Sequence, residues 1–309
     1  MRRRHRKYSC IRRGLGAALL LLLTSRVDVG ANPEKPIRIR LGLSEALFDD
    51  MNEDDAKAAV RAWTQSVLGG SNLEVDGAPQ LMRSEEIVHA ITYHSIDGFS
   101  ITGSEYSKVR RFLDPIMFTD SYAKKGVEYV LLVRQDGGVH DLGDLRGRSL
   151  LVFQHANMCL ASAWLETLLA GSNLDASDRF FSRVTKSSKA AQTVLPVFFG
   201  SADACLVTRQ AFDIMGELNP QLHKKMRVLA MSPKVVAVLV ALHKDSPDET
   251  KRRFRAALAG MFDSTIGRQI LTLFQSDRLI VVDSSLLAAS VDLLAAYDRA
   301  KARRTGGAR

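Results

Sequence analysis

The chain has 309 residues, 46% of them hydrophobic and 25% charged, an ordinary globular composition with length for two domains and a sizeable core. Its net charge of +9 would fit a polyanion partner, but eight positive charges (Arg2, Arg3, Arg4, Arg6, Lys7, Arg12, Arg13 and Arg26) and one acid, Asp28, fall in the first 31 residues, and without them +2 remains. A nucleic-acid footprint needs a clustered basic face, so nucleic acid is not an expected partner.

Residues 1–31 read as a secretory signal peptide. "MRRRHRKYSCIRR" is a basic n-region, "GLGAALLLLLT" is too short to span a bilayer, and Val29-Gly30-Ala31 is a small-residue cleavage site. The mature chain is expected to begin at Asn32 and to be soluble. A short membrane anchor is the other reading, because Arg26 and Asp28 make an unusual c-region. Cys159 and Cys205 remain after cleavage, either as one disulfide or as two buried thiols.

Ile37, Ile39, Leu41 and Leu43 alternate with Arg38, Arg40 and Gly42, the period of a strand. Beyond "SEALFDDMN", Ala56, Ala59, Val60, Trp63 and Val67 recur at helical spacing, with Asp54 and Asp55 in the first turn and Gly69-Gly70 at the end. "SEEIVHAITYHSI" reads as a helix, "DGFSI" as a strand and "TGSEYSKVRRFL" as a loop entering a helix. "VEYVLLVR" and "SLLVF" are strands joined by the Gly-rich and Asp-rich "DGGVHDLGDLRG".

In "ASAWLETLLA", Ala161, Trp164, Leu165, Leu168 and Leu169 form an apolar stripe, which places a helix start near Asn157. "FFSRV" reads as a strand, "KAAQTVLPVFFG" as a helix, "ADACLVT" as a strand, "RQAFDIMGELNP" as a helix and "KKMRVLAMS" as a strand. "VVAVLVALH" has the continuous apolar run of a strand buried on both faces. Three helices and the extended "DRLIVVD" complete the chain, and "RRTGGAR" reads as a disordered polar tail. Alternating strands and helices predict an α/β architecture with mainly parallel sheets.

Signatures of catalysis are missing. There is no G-x-S-x-G, H-E-x-x-H or phosphate-binding G-x-x-x-x-G-K-[ST], and the lone G-x-G, Gly14-Leu15-Gly16, lies in the leader. All seven histidines read as structural or surface residues. No nucleophile, base and orienting group combine, so no catalytic residue, metal ligand or cofactor is expected.

Several phrases taken in order resemble a known family. "IRLGLSEAL" is similar to its opening strand and first ligand loop, and "DGFSITGSEYSK" to its D-(apolar)-x-x-x-G-x-x-x-Y passage. "DLGDLRGRSLLVFQ" resembles a characteristic turn and strand, "GSADACLVTRQAFD" its G-x-a-D-a-g strand, and "MRVLAMSPKVVAVLVAL" its return segment. The family is the phosphate/phosphonate-type solute-binding proteins of bacterial ABC importers, and the similarity covers residues 37–283. Two positions depart from it: residues 156–160 stand in place of a Ser-Thr-Ser-Gly, and residues 186–189 in place of a segment carrying a His.

The resemblance implies a periplasmic, monomeric, two-lobed protein with a ligand cleft between lobes of mainly parallel sheet flanked by helices. Lobe I would hold residues 32–133 and 232–309, lobe II residues 134–231, with crossings near 134–138 and 232–235. The ligand would be small and anionic or oxygen-rich, phosphonate-like or an organic acid. The partner would be an ABC permease or, alternatively, a membrane sensor protein. An enzyme on the same scaffold, or a secreted adhesion protein, are the competing readings.

Cleft residues follow from position. In lobe I they are Ser44, Glu45, Thr102, Gly103, Ser104 and Tyr106, with Tyr106 either stacking on a ligand or packing on its helix face. In lobe II they are His155, Asn157, Met158, Cys159, Lys186, Ser187 and Asp203, with Asp203 either meeting a ligand amine or making a turn hydrogen bond. Residues 155–159 are expected to hold an oxygen-rich group through backbone N–H groups, and Asn157 either caps its helix or faces the ligand.

Overall fold

The structure is a computed structural model, and it describes residues 35–48, 51–69, 71–120, 126–273, 278–282 and 284–306. Residues 1–31, read from the sequence as a signal peptide, and the expected cleavage site lie outside these residues. The chain starts with β1 (Ile37–Ile39), β2 (Leu41–Ser44), α1 (Glu53–Leu68), β3 (Leu73–Val75), β4 (Gln80–Met82), α2 (Ser84–Thr92), β5 (Gly98–Thr102), α3 (Gly103–Val109) and β6 (Met117–Asp120). It continues through β7 (Tyr129–Arg134), β8 (Ser149–Phe153), α4 (Ala161–Gly171), α5 (Ser177–Phe180), β9 (Arg183–Ser187), α6 (Ala190–Phe198), β10 (Ala204–Thr208), α7 (Arg209–Leu218), α8 (Gln221–Lys225) and β11 (Met226–Met231). It returns through β12 (Val238–Leu242), α9 (Asp248–Gly260), α10 (Thr265–Leu273), β13 (Leu279–Val282) and α11 (Ala288–Gly306).

Among the described residues the strands form two large sheets, in the orders β13-β6-β12-β5-β2-β4 and β11-β7-β10-β8-β9, and a small β1-β3 pair. Each large sheet has a parallel part, β5-β2-β4 in one and β10-β8-β9 in the other, and that part carries the strand-to-helix loops. The remaining pairs are antiparallel, and all but β13-β6 involve β7 or β12, the first strand after each crossing. Each sheet has its own apolar core. The second one gathers Tyr129, Leu131, Leu150, Trp164, Phe180 and Leu206.

Local chemistry explains several elements. Asn52 caps α1 by accepting from Asp55 N at 2.9 Å, with three acids in the first turn, and Ala56, Ala59, Val60, Trp63 and Val67 are buried as their spacing requires. The stripe of α4 is buried at Ala161, Trp164, Leu165 and Leu169. No described helix is long and apolar enough to cross a membrane.

Four expectations are corrected. β7, placed in lobe I by sequence, is hydrogen-bonded between β10 and β11 in the second sheet. The first crossing therefore precedes Tyr129, where Val127 and Val235 exchange backbone hydrogen bonds of 2.7 and 2.9 Å, and the segment after Arg134 is a turn, with Gly137 N donating to Arg134 O at 3.2 Å. A fully apolar strand reads the same in either sheet, and long-range pairing decides. The strand sought in "FFSRV" begins at Arg183, because Phe180 closes the short helix α5 and is buried beneath it. Helix α4 begins at Ala161, after a separate 3-10 turn over Ala156–Met158. The expected polar tail is helical as far as Gly306, held where Arg304 pairs with Glu166 on α4.

Candidate ligand-binding site

The C-terminal ends of parallel strands are where open α/β sheets bind ligands. In lobe I, β2, β4 and β5 end in loops that converge on one side chain, Glu105, which is 1% exposed. Its Oε1 accepts from Ser44 Oγ at 2.6 Å and from Ser84 Oγ. Its Oε2 accepts from Thr102 N at 2.8 Å and Thr102 Oγ1 at 3.1 Å. Thr102 also caps α3, completing a reciprocal capping box with Glu105. A single carboxylate thus ties together the ends of three neighbouring strands.

Lobe II approaches the same place with a tighter, uncharged turn. His155 Nδ1 accepts from Asn157 N at 3.1 Å, His155 O from Met158 N at 2.8 Å, and Ala156 O from Cys159 N at 3.2 Å. The buried Tyr129 hydroxyl accepts from Leu160 N at 3.3 Å and donates to Asn157 O at 3.0 Å. The N–H groups of residues 157–160 are therefore all committed within the protein. Three of the five N–H groups expected to cradle an anion, those of Asn157, Met158 and Cys159, are thus engaged in the arrangement seen here, because the segment folds as a separate turn and not as the first turn of α4.

The two sides touch directly. Ser104 Oγ lies 3.5 Å from Cys159 O, Cys159 Sγ 3.2 Å from Ala237 O, and Gly103 N donates to Ala237 O at 2.7 Å. A Cβ on Gly103 would sit 2.6 Å from Val236 O and 3.1 Å from Leu160 Cδ1. The close approach that Gly103 permits is to the return crossing and lobe II. Burial pushes the Cys159 thiol up to about 12, the nearby Glu105 charge adding to it, so the thiol stays protonated. Cys159 and Cys205 are free thiols.

The structure brings Ser44, Thr102, Gly103, Ser104 and Cys159 together at this seam, with Glu45 exposed at the start of the turn Glu45–Phe48 and His155 and Asn157 half-buried opposite. Met158 is in the lobe II core. Tyr106 is buried in the lobe I core beside Ile87 and Val109, where burial raises its hydroxyl pKa, so it packs instead of stacking on a ligand. Lys186 and Ser187 lie on β9 at the edge of the sheet, with Lys186 exposed and Ser187 Oγ donating to Gln192 at 3.0 Å. Asp203 is at the opposite end of its sheet. It accepts from Ser149 N at 2.9 Å, Ser149 Oγ at 2.7 Å and Arg148 at 3.2 Å, a strand-start hydrogen-bond group with no part at the seam.

Sequence reasoning missed Ser84, Glu105, Tyr129 and Ala237. Glu105 had a signal, since Thr102-Gly103-Ser104-Glu105 is a T-x-x-E capping box. Away from the seam, His94, His243 and Asp245 bring one ligand atom each within 4.8 Å. The two imidazoles stack 3.9 Å apart and 12° from parallel, so their lone pairs do not converge, and His94 Nε2 faces Asp97 at 3.2 Å. This is a packed histidine pair, not the geometry of a metal centre.

Two α/β lobes meeting at the C-terminal ends of their strands define a periplasmic-binding-protein fold. Residues 71–287 match the family described as ABC transporter, phosphonate, periplasmic substrate-binding protein, and the chain belongs to that family. Solved structures share the fold at low identity. A binding-protein component of an ABC phosphonate transporter from Pseudomonas aeruginosa is 13% identical with a TM-score of 0.57, covering 87% of this chain and 89% of that one. XAC2383 from Xanthomonas citri, bound to chloride ion, is 14% identical with a TM-score of 0.59, covering 86% and 99%. PhnD1 from Prochlorococcus marinus in complex with methylphosphonate is 14% identical with a TM-score of 0.56, covering 88% and 99%. No curated protein matches the sequence.

Proposed function

We propose that this chain is exported to the periplasm, captures a small anionic or oxygen-rich solute between its lobes as a monomer, and presents it to an ABC permease without chemical change. The observation that carries this reading is the meeting of strand-to-helix loops from both sheets at one seam. In the arrangement described, lobe I and lobe II groups fill that seam, so binding requires the lobes to part at the paired crossings around Val127 and Val235. The methylphosphonate complex of PhnD1 supports an oxyanion-bearing ligand. The committed N–H groups of residues 157–160 argue that a bare oxyanion is not enough, and that the ligand carries an organic portion contacting Cys159 and Leu160 as the seam opens.

The test is mass spectrometry of small molecules released from the gently denatured protein, followed by calorimetry with methylphosphonate, inorganic phosphate and organic acids. An intact, unmodified solute that rebinds with compaction in small-angle scattering is the expected result. Tight binding of inorganic phosphate would overturn the specificity, and recovery of a turned-over product would overturn the binding-only role.

A further inference from the structure

Behind the crossings, α4 and α11 pack together and leave a groove. One end is a cavity of about 640 Å3 whose walls include Trp164, Leu168, Pro233, Ala289, Leu293 and Ala296. Thr167, Gly171 and Ala296 also line a second cavity of about 460 Å3, so the two adjoin. Arg299, Arg303 and Arg304 lie on the wall of that second cavity. Arg304 is engaged, pairing with Glu166 and donating to Leu174 O at 3.1 Å. Arg299 and Arg303 are exposed, one helical turn apart, and have no ion-pair partner among the described residues. Asp292 borders the apolar cavity, seven residues before Arg299 and so about 10 Å away along the helix.

We propose that this groove binds an amphipathic anion with one unbranched alkyl chain and a carboxylate head. The chain lies in the apolar cavity over Trp164, Leu168 and Leu293, and the carboxylate sits between Arg299 and Arg303. Three features point to this class. The cavity is of ordinary ligand size and mostly apolar. From Ala289 to Arg304 the groove follows α11 for about 22 Å, a narrow path that suits an extended chain and not a compact polar solute. Two guanidinium groups without an ion-pair partner among the described residues stand at one end, where their planar forks match a carboxylate. The site is separate from the interlobe seam and does not rest on the solute proposed there.

The experiment is calorimetry of the purified protein with sodium dodecanoate below its micelle concentration. Saturable one-to-one binding is expected, strengthening from octanoate to dodecanoate by up to about fourfold per methylene. Arg299→Glu with Arg303→Glu, both exposed, should weaken it at least tenfold. A Cβ at Gly171 meets no atom within 4 Å, so Gly171→Phe should fill the groove without disturbing the fold, as circular dichroism would check, and abolish binding. Absence of saturable binding would overturn the proposal. So would equal binding of dodecyltrimethylammonium, or undiminished dodecanoate affinity in the folded Gly171→Phe and double-arginine variants.

Discussion

The two lobes are built alike at one end of their sheets and differently at the other. Asp97 immediately precedes β5, and its carboxylate accepts from Arg40 N at 3.0 Å, Nε at 2.9 Å and Nη2 at 2.7 Å, just ahead of β2. Asp203 immediately precedes β10 and binds Ser149 and Arg148 at the start of β8 in the same manner. In each lobe one aspartate joins the starts of two adjacent parallel strands. At the C-terminal ends the likeness stops. Lobe I gathers three loops on the charge of Glu105, whereas lobe II closes its loop with an imidazole, a phenol and its own backbone. The acids embedded in the two family-like phrases, "DGFSI" and "ADACLVT", therefore hold the fold, while the proposed solute contacts lie at the other end, where the two halves diverge.

The largest test of that contrast is Glu105→Ala. It strips the acceptor from Ser44, Ser84 and Thr102 at once and leaves buried donors unpaired, for an expected loss of about 3 kcal/mol in urea unfolding. Glu105→Gln keeps the shape, and the hydroxyls can reverse their hydrogen bonds, so it should lose less. Wild-type stability in Glu105→Ala would mean that the lobe I loops are ordered by something other than this carboxylate.

Acid should act on the shared feature, the two aspartates. Burial disfavours ionised Asp97, but hydrogen bonds and charge from Arg40 outweigh it and hold the carboxyl below its usual range. Burial works against Asp203 too, and Ser149 with Arg148 outweighs it. A carboxylate whose folded pKa is depressed contributes fully above its unfolded value, near 4, and loses that contribution as pH falls through the folded value. The urea midpoint should thus be flat with respect to these groups above about pH 5 and decline below about pH 4. Asp97, at 12% side-chain exposure against 34% for Asp203, should matter more. Asp97→Asn is expected to cost about 2 kcal/mol at pH 7, Asp203→Asn less, and an unchanged acid limb in the double variant would remove the shared role.

Much of this fold is legible along the chain. Helices such as α1 and α4 announce themselves because one face is apolar at a period near 3.6, and β10 and β12 because they are apolar throughout. Sheet membership is less legible: β7 satisfies the same pattern in either lobe, and its pairing with β10 and β11 joins residues some 70 to 100 positions apart. The seam was half legible. Strand-to-helix loops identify Ser44, Thr102 and Gly103 by position, yet which group organises them depends on three loops meeting at Glu105, a long-range fact. In residues 155–160 the apolar stripe fixes the face of α4 and not its start, since Tyr129 arrives from another strand to satisfy Leu160 N and let a separate turn precede the helix.

On the lobe II side, Tyr129→Phe should sharpen the comparison at moderate cost. The hydroxyl is buried and serves both Asn157 O and Leu160 N. Its removal leaves both without that partner, for an expected loss of about 1 to 2 kcal/mol measured by thermal or urea unfolding. Hydrogen exchange should report the change locally, with faster exchange at Leu160 N than in wild type. Equal protection of Leu160 N in both proteins would show that the turn holds itself without the tyrosine.

The smallest effect on stability is expected from Asn157→Ala, and it separates a structural role from a binding one. Asn157 does not cap α4, which starts four residues later. The cap of its own turn is His155 Nδ1, and the Asn157 side chain makes no hydrogen bond among the described residues. Substitution should therefore change stability by no more than about 0.5 kcal/mol, whereas His155→Ala, which removes the cap, should cost about 1 kcal/mol. If the half-exposed amide contacts the solute when the lobes part, affinity for the solute recovered from the protein should fall several-fold in Asn157→Ala while its Tm stays within a degree or two of wild type. A lowered Tm with unchanged affinity would reverse the assignment, making Asn157 part of the turn and returning ligand contact in lobe II to His155 and the residues of β9.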